Sequence, residues 1–270
     1  VSDIGTISKR DSMSVEEIKP SKQAIAIIPA RYASTRLPGK PLAKISGKSL
    51  IQRVWEGAAR SKKLRDIIIA TDDDRVAEEC FNIGASCVIT PPDLPSGTDR
   101  VYYAYKELKE FADVVVNIQG DEPLIRGEAI DDLIEMMIAT KAEVGTLVKQ
   151  INKTDDLFDN SVVKVVKDNF NKALYFSRST IPYLRDVNES EWLENGKFWK
   201  HIGIYAFQPR TLWKFVHYKP SELEIFEKLE QLRLIQNGIA INCVETDMEL
   251  IGVDTPEDVL RVERYLEMNK

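Results

Sequence analysis

Three basic residues recur at intervals of five and four positions, Arg31, Arg36 and Lys40, within Pro-Ala-Arg-Tyr-Ala-Ser-Thr-Arg-Leu-Pro-Gly-Lys-Pro-Leu at positions 29–42. Two guanidinium groups offer planar two-point hydrogen bonding, and the ammonium is a compact charge that can follow a departing anion. With small residues and free backbone N–H groups between them, such a loop suits a triphosphate. It is neither a P-loop nor a dinucleotide fingerprint, because the Gly-x4-Gly-Lys-Ser/Thr and Gly-x-Gly-x-x-Gly patterns are absent. The surrounding charge pattern agrees: positions 18–55 contain no Asp or Glu but eight Lys and Arg. About six acids would be expected there, so the segment reads as an anion-binding stretch in an otherwise acidic chain.

Acidic partners lie far along the chain. Asp121, in Asn-Ile-Gln-Gly-Asp-Glu-Pro at 117–123, follows a very apolar run. Gly120 there permits close backbone approach. Asp254 lies in Gly-Val-Asp-Thr-Pro-Glu-Asp at 252–258. Two carboxylates at strand ends can share one Mg2+ with substrate phosphates, since that ion prefers carboxylate, water and phosphate oxygens. The same residues also suit a turn at Asp121 and a helix cap at Asp254 or Thr255.

Four weaker segments remain. Ser96-Gly97-Thr98-Asp99-Arg100 opens a helix, either as a plain cap or as a row of N–H groups that reads a ligand. Ala-Leu-Tyr-Phe-Ser-Arg-Ser-Thr-Ile-Pro at 173–182 runs from a strand into a loop and carries Arg178. His201 alternates with apolar residues in His-Ile-Gly-Ile-Tyr, a pattern shared by core histidines and ligands. Glu227 and Gln231 are four apart, which puts them on one face of an expected helix, otherwise a solvated one.

To position these groups the sequence offers alternating elements. Buried strands are expected at 24–28, 66–71, 85–90 and 113–118, and helices at 48–61, 73–84, 98–111 and 127–140. That alternation means a parallel sheet with crossover helices, whose strand ends host ligands. From about 143 the pattern changes. Short strands at 142–150, 162–167, 173–176 and 199–207, with a turn at Asn169-Phe170-Asn171, read as a mixed or antiparallel section without helices. A helix over 221–237 from Ser221 to a stop at Gly238, a strand at 239–245 and a helix at 256–268 follow. Residues 1–22 read as a flexible polar tail, and 23–270 as a single domain with a mixed insertion at about 150–220.

Composition narrows the class. The chain has 270 residues, 43% hydrophobic and 30% charged, as in a globular protein. A net charge of -6 argues against nucleic acid as a partner. No apolar run approaches the roughly 20 residues that span a bilayer, so no membrane association is expected. Cys80, Cys87 and Cys243 match no zinc spacing and no closed disulfide set, which favours a reducing, cytoplasmic setting.

Taken in order, these segments, together with Leu-Glu-Gln-Leu-Arg at 229–233, closely resemble the 3-deoxy-manno-octulosonate (Kdo) cytidylyltransferase family from about Ala24 to Tyr265. The resemblance implies an α/β nucleotide-diphospho-sugar transferase fold, Rossmann-like, with helices on both faces of a mostly parallel sheet and a mixed β insertion for dimer contact. It implies a nucleotidyltransferase that turns CTP and Kdo into CMP-Kdo and pyrophosphate for lipopolysaccharide synthesis, as a cytoplasmic homodimer requiring Mg2+. By the same resemblance Arg31, Arg36, Lys40 and Asp121 are catalytic, and Asp121 and Asp254 hold the metal. Ala30, Arg31, Lys40, Ser96, Gly97 and Gln119 bind nucleotide. Gln119, Arg178, His201, Glu227 and Gln231 bind sugar, with Arg178 as partner for its carboxylate. A cytidylyltransferase for a related acidic sugar, 8-amino-Kdo or sialic acid, is the alternative. The tail at 1–22 departs from typical members.

Overall fold

Seven consecutive residues with almost no polar side chain make β1 (Ala24–Ala30), which is buried along nearly its whole length. A strand that is apolar on both faces belongs in the middle of a covered sheet, and the computed structural model places it there. The structure describes residues 24–109 and 111–269, so the expected tail at 1–22 lies outside the described residues. After β1 comes a small hairpin, β2 (Lys44–Ile45) and β3 (Lys48–Ser49), then α1 (Leu50–Ala58), β4 (Leu64–Thr71), α2 (Asp74–Ile83) and β5 (Ser86–Ile89). The first half closes with α3 (Gly97–Leu108), β6 (Val114–Asn117), α4 (Gly127–Thr140) and β7 (Val144–Gln150). Next are α5 (Thr154–Phe158), β8 (Lys164–Lys167), β9 (Ala173–Ser177), α6 (Trp192–Asn195) and β10 (Trp199–Phe207). Then follow α7 (Pro209–His217), α8 (Glu222–Glu227), α9 (Leu232–Gln236), β11 (Ile241–Glu245) and α10 (Pro256–Met268).

Among the described residues the main sheet has nine strands, running β11-β7-β10-β6-β1-β4-β5, with β8 paired to β10 and β9 to β8. The pairs β1–β4, β1–β6, β4–β5 and β11–β7 are parallel. Only β10 reverses direction within the main path, antiparallel to β6 on one side and to β7 on the other. Two apolar layers cover the sheet. Residues of α1, α2, α4 and α10 pack on one face, and residues of α3, α7 and α9 on the other. This is the α/β architecture with helices on both faces that the alternating pattern implied.

The structure departs from the sequence-based elements in two places. The middle section contains short helices, α5 and α6, and a longer one, α7, that were not expected there. In α7, Pro209 sits in the first turn, where its missing N–H costs nothing, and Leu212 and Phe215 are buried. The expected continuous helix at 221–237 is broken. It starts as expected, with a capping box between Ser221 and Glu224, but Lys228 adopts a left-handed conformation (φ 56°) and ends α8. The chain turns through 228–231 before α9, and Gly238 (φ 73°) stands just past the final turn, where a stop was expected. Tertiary hydrogen bonds accepted by Glu227 and Glu230, described below, replace the helical bonds that propensity alone favours.

Candidate active site

The phosphate-type loop leaves the carboxyl end of β1 and is held from several sides. Tyr32 is central to that hold. Its backbone N–H donates to Asp72 Oδ1 (3.3 Å), and the Arg75 guanidinium lies 3.5 Å over its ring. Its hydroxyl abuts Gly39, where a Cβ would come within 3.0 Å of it. Gly39 also needs its positive φ of 67° to start the short 3-10 turn Lys40–Leu42. The carboxyl end of β6 approaches the same loop: a Cβ on Gly120 would lie 2.7 Å from the Pro29 carbonyl oxygen, so only glycine fits.

Between these segments and the start of α3 opens a cleft of about 350 Å3. It brings together Ala30, Arg31, Arg36, Lys40, Ser96, Gly97, Gln119, Asp121 and Asp254, which arrive from four distant parts of the chain. Lys40 is the hub. Its Nζ donates to Asp121 Oδ2 (2.7 Å) and to Asp254 Oδ1 (3.1 Å). Burial works against the ammonium charge, but the two carboxylates outweigh it and hold the Lys40 pKa above its usual value. Arg36 Nη2 makes a second contact with Asp254 Oδ1 (3.0 Å). Arg31 is exposed at the mouth, with Nε donating to the Ala33 carbonyl (3.1 Å).

The capping alternatives resolve by geometry. Thr255, not Asp254, caps α10, in a capping box with Asp258. Asp254 is thereby left facing Lys40, while its backbone N–H donates to Asp258 Oδ2 (3.2 Å). The two acidic segments are stitched by the Val253 N–H to the Asp121 carbonyl (2.9 Å). Ser96 does cap α3, accepting from the Asp99 N–H, and still lines the cleft.

Two carboxylates converging on one cation position are a donor set that suits Mg2+. Such an ion commonly uses one or two carboxylates and completes its shell with water and phosphate oxygens. Among the described residues no three His, Cys, Asp or Glu side chains come together as a metal-holding group, so phosphate and water oxygens would supply the other ligands. The Lys40 ammonium occupies the point where the two carboxylates converge. Glu122 lies next to it with a buried, unpartnered Oε2. Burial, reinforced by Asp121, pushes Glu122 up to about 8, with Lys40 pulling the other way.

Of the expected sugar-side residues, Gln119 lines this cleft, while Arg178, His201, Glu227 and Gln231 are not among its lining residues. Glu227 does not share a helix face with Gln231. Its Oε1 accepts from the Ser177 hydroxyl (2.6 Å) and its Oε2 from the Arg178 N–H (2.9 Å). The Arg178 side chain is engaged with main-chain carbonyls, those of Glu227 (2.8 Å), Asn160 (3.1 Å) and Lys228 (3.5 Å). It thus clamps the turn that follows α8. Gln231 is buried, and its Nε2 has no hydrogen-bond partner among the described residues. His201 packs its ring against Phe176 and Tyr205, with Nε2 3.0 Å from Thr146 Oγ1. The same hydroxyl also lies within hydrogen-bond distance of the Ile202 (3.2 Å) and Ile204 (2.8 Å) carbonyls. Burial pushes His201 down to about 3, so the ring is neutral near pH 7.

Two further groups join the site. Arg100 lines the cleft almost fully buried, with Nη1 donating to Thr90 Oγ1 and the Pro91 carbonyl and Nη2 to Asp72 (3.2 Å). Glu230 accepts from the Thr98 hydroxyl (2.7 Å); Thr98 in turn accepts from Asn117 Nδ2 (3.2 Å), and Asn117 Oδ1 accepts from Gln119 Nε2 (3.1 Å). Both residues lie inside segments singled out in the sequence. Glu230 carries no local signal, since helical spacing pairs Glu227 with Gln231 and its partner Thr98 is distant in sequence.

A mostly parallel sheet whose strand ends carry a basic loop, a helix start and two convergent carboxylates defines a nucleotidyltransferase site. The sequence matches the family model described as cytidylyltransferase over residues 25–244. A 3-deoxy-manno-octulosonate cytidylyltransferase from Cytophaga hutchinsonii is 46% identical over 88% of this chain and 95% of its own length. One from Lawsonia intracellularis is 47% identical over 89% and 92%. The solved structure of a CMP:2-keto-3-deoxy-manno-octonic acid synthetase complexed with CTP superposes with a TM-score of 0.85 at 38% identity, covering 92% of this chain and all of that one. A cytidylyltransferase structure from Leptospira borgpetersenii, 17% identical with a TM-score of 0.61, shares the fold. The chain belongs to the 3-deoxy-manno-octulosonate cytidylyltransferase family.

Proposed function

We propose that this protein transfers CMP from CTP to the anomeric hydroxyl of Kdo, releasing pyrophosphate. The convergence of Asp121 and Asp254 on Lys40, facing the Arg31 and Arg36 loop across one cleft, carries the reading. The sugar hydroxyl attacks the α-phosphorus in line with the departing pyrophosphate, a step governed by positioning and charge stabilisation. Arg31, Arg36 and Lys40 bind the triphosphate and offset charge on the leaving group. Ala30, Ser96 and Gly97 border the nucleoside, with Arg100 as a rigid wall beside them. Asp121 and Asp254 hold Mg2+, which when bound supplies a positive centre for the phosphate oxygens.

On the sugar side, the unpartnered Gln231 amide is a ready donor, and Gln119 joins it from the cleft. The Arg178 guanidinium keeps two N–H groups beyond its carbonyl contacts for the sugar carboxylate. His201 lends shape, and Glu227 holds the turn in place. We further propose a homodimer joined through the β8–β9 side, where Phe170 and Leu174 are exposed apolar residues. A cytoplasmic location, where Cys80, Cys87 and Cys243 stay reduced, and a role in lipopolysaccharide synthesis complete the proposal. No helix among the described residues is long and apolar enough to cross a membrane.

The test is pyrophosphate release from CTP and Mg2+ with Kdo, 8-amino-Kdo and sialic acid supplied separately. Release with Kdo is expected. Preference for either other sugar would replace the acceptor, and release with none would overturn the reading.

A further inference from the structure

Lys40 occupies the point at which the two acidic residues converge. Its Nζ lies 2.7 Å from Asp121 Oδ2 and 3.1 Å from Asp254 Oδ1, and its side chain is 19% exposed. Asp121 leaves the end of β6 and Asp254 precedes α10, and the backbone bond between Val253 and Asp121 fixes their spacing. A divalent cation drawn to these carboxylates would meet an ammonium already in its place. Like charges cannot share that position, so one must leave. The lysine stem is long and flexible, and the triphosphate offers its ammonium a new anionic partner a short swing away. Arg36 differs: it is 65% exposed and, among the described residues, pairs with Asp254 and not Asp121.

We propose that Lys40 is an exchangeable resident cation, filling the divalent-ion seat on Asp121 and Asp254 in the free enzyme and vacating it when a nucleotide triphosphate accepts its charge. The inference rests on the two-carboxylate metal reading above. It makes nucleotide and metal binding mutually reinforcing, because whatever draws the ammonium off the carboxylates opens the seat. The free enzyme accordingly holds a divalent cation weakly.

Mn2+ binding to the nucleotide-free protein, followed by electron paramagnetic resonance, tests this without any turnover. Lys40→Met, and Lys40→Gln as a neutral polar replacement, should bind Mn2+ at least ~10-fold more tightly than wild type, a gain of the size expected for allosteric coupling. Arg36→Met should gain no more than about threefold, because its charge does not fill the seat. Adding Asp121→Asn to Lys40→Met should abolish the gain. Equal gains for Arg36→Met and Lys40→Met would point to a general charge effect and overturn the proposal. So would wild-type affinity in both Lys40 variants. If no variant holds Mn2+ even in the presence of CTP, although CTP itself binds, the metal reading fails and takes the inference with it.

Discussion

The Thr98 hydroxyl donates to Glu230 at 2.7 Å across 132 positions of sequence. One residue belongs to the first turn of α3, beside the nucleotide loop, and the other to the turn before α9, next to Gln231. With Asn117 and Gln119 they form a hydrogen-bonded row that ends at the cleft, which Gln119 lines. Burial pushes the Glu230 pKa up, against the opposing pull of Thr98 and Arg233. Thr98→Val should lower kcat/KM by about 10-fold, because it strips the buried Glu230 side chain of one of its donors. Combined with Glu230→Gln, the loss should be clearly less than the product of the two single losses. Strict additivity in a double-mutant cycle would show that the row does not act as a unit.

Asp121→Asn keeps shape and removes charge. Turnover should fall by ~10²–10³-fold, as when a transition-state charge partner is lost, while circular dichroism stays that of the folded wild type. Near-normal turnover would remove Asp121 from the metal assignment.

Arg178 invites a two-part measurement. Its three main-chain bonds hold the turn after α8, so Arg178→Ala should cost about 1–3 kcal/mol of stability. It should also raise KM for Kdo more than for CTP. An unchanged melting temperature would refute the clamp, and a larger effect on CTP would refute the sugar-side placement.

His201 sets an acid limit. Its folded pKa, about 3, lies below the ordinary value of 6.5, so between these values the unfolded chain binds the extra proton. Stability is therefore retained above pH 6.5 and declines as pH falls towards 3, by about 1.4 kcal/mol per unit at most. His201→Gln should flatten this part of the stability-pH curve in urea titrations. An unaltered slope would mean that another group carries the acid sensitivity.

Much of this was legible in the sequence. The apolar runs of β1, β4 and β6 and the glycine and capping signals of α2 and α10 mark their elements directly, because burial and local capping act over a few residues. Arg31, Arg36, Lys40, Asp121 and Asp254 do reach one cleft. What local pattern could not reveal was the break at Lys228. Residues 221–237 are good helix formers throughout, and only partners 50 and 132 positions away, Ser177 and Thr98, pull Glu227 and Glu230 out of a common helix. Arg100 was hidden for a similar reason: its place in the cleft wall depends on Asp72 and Thr90, which belong to other segments.

The reversed strand β10 also decides where this enzyme has room to vary. Its last residues pair with β6, Tyr205 opposite Asn117 and Phe207 opposite Val115, so its first residues project past the carboxyl end of β6. In a parallel neighbour the loop after the strand would border the reaction. Here the chain enters β10 at that end, through 178–198, a segment that contributes no lining residue to the cleft and packs instead on Ile151 and Leu157. The turn after Phe207 falls at the opposite end of the sheet, and an extra loop or a fused domain inserted there would leave the chemistry untouched.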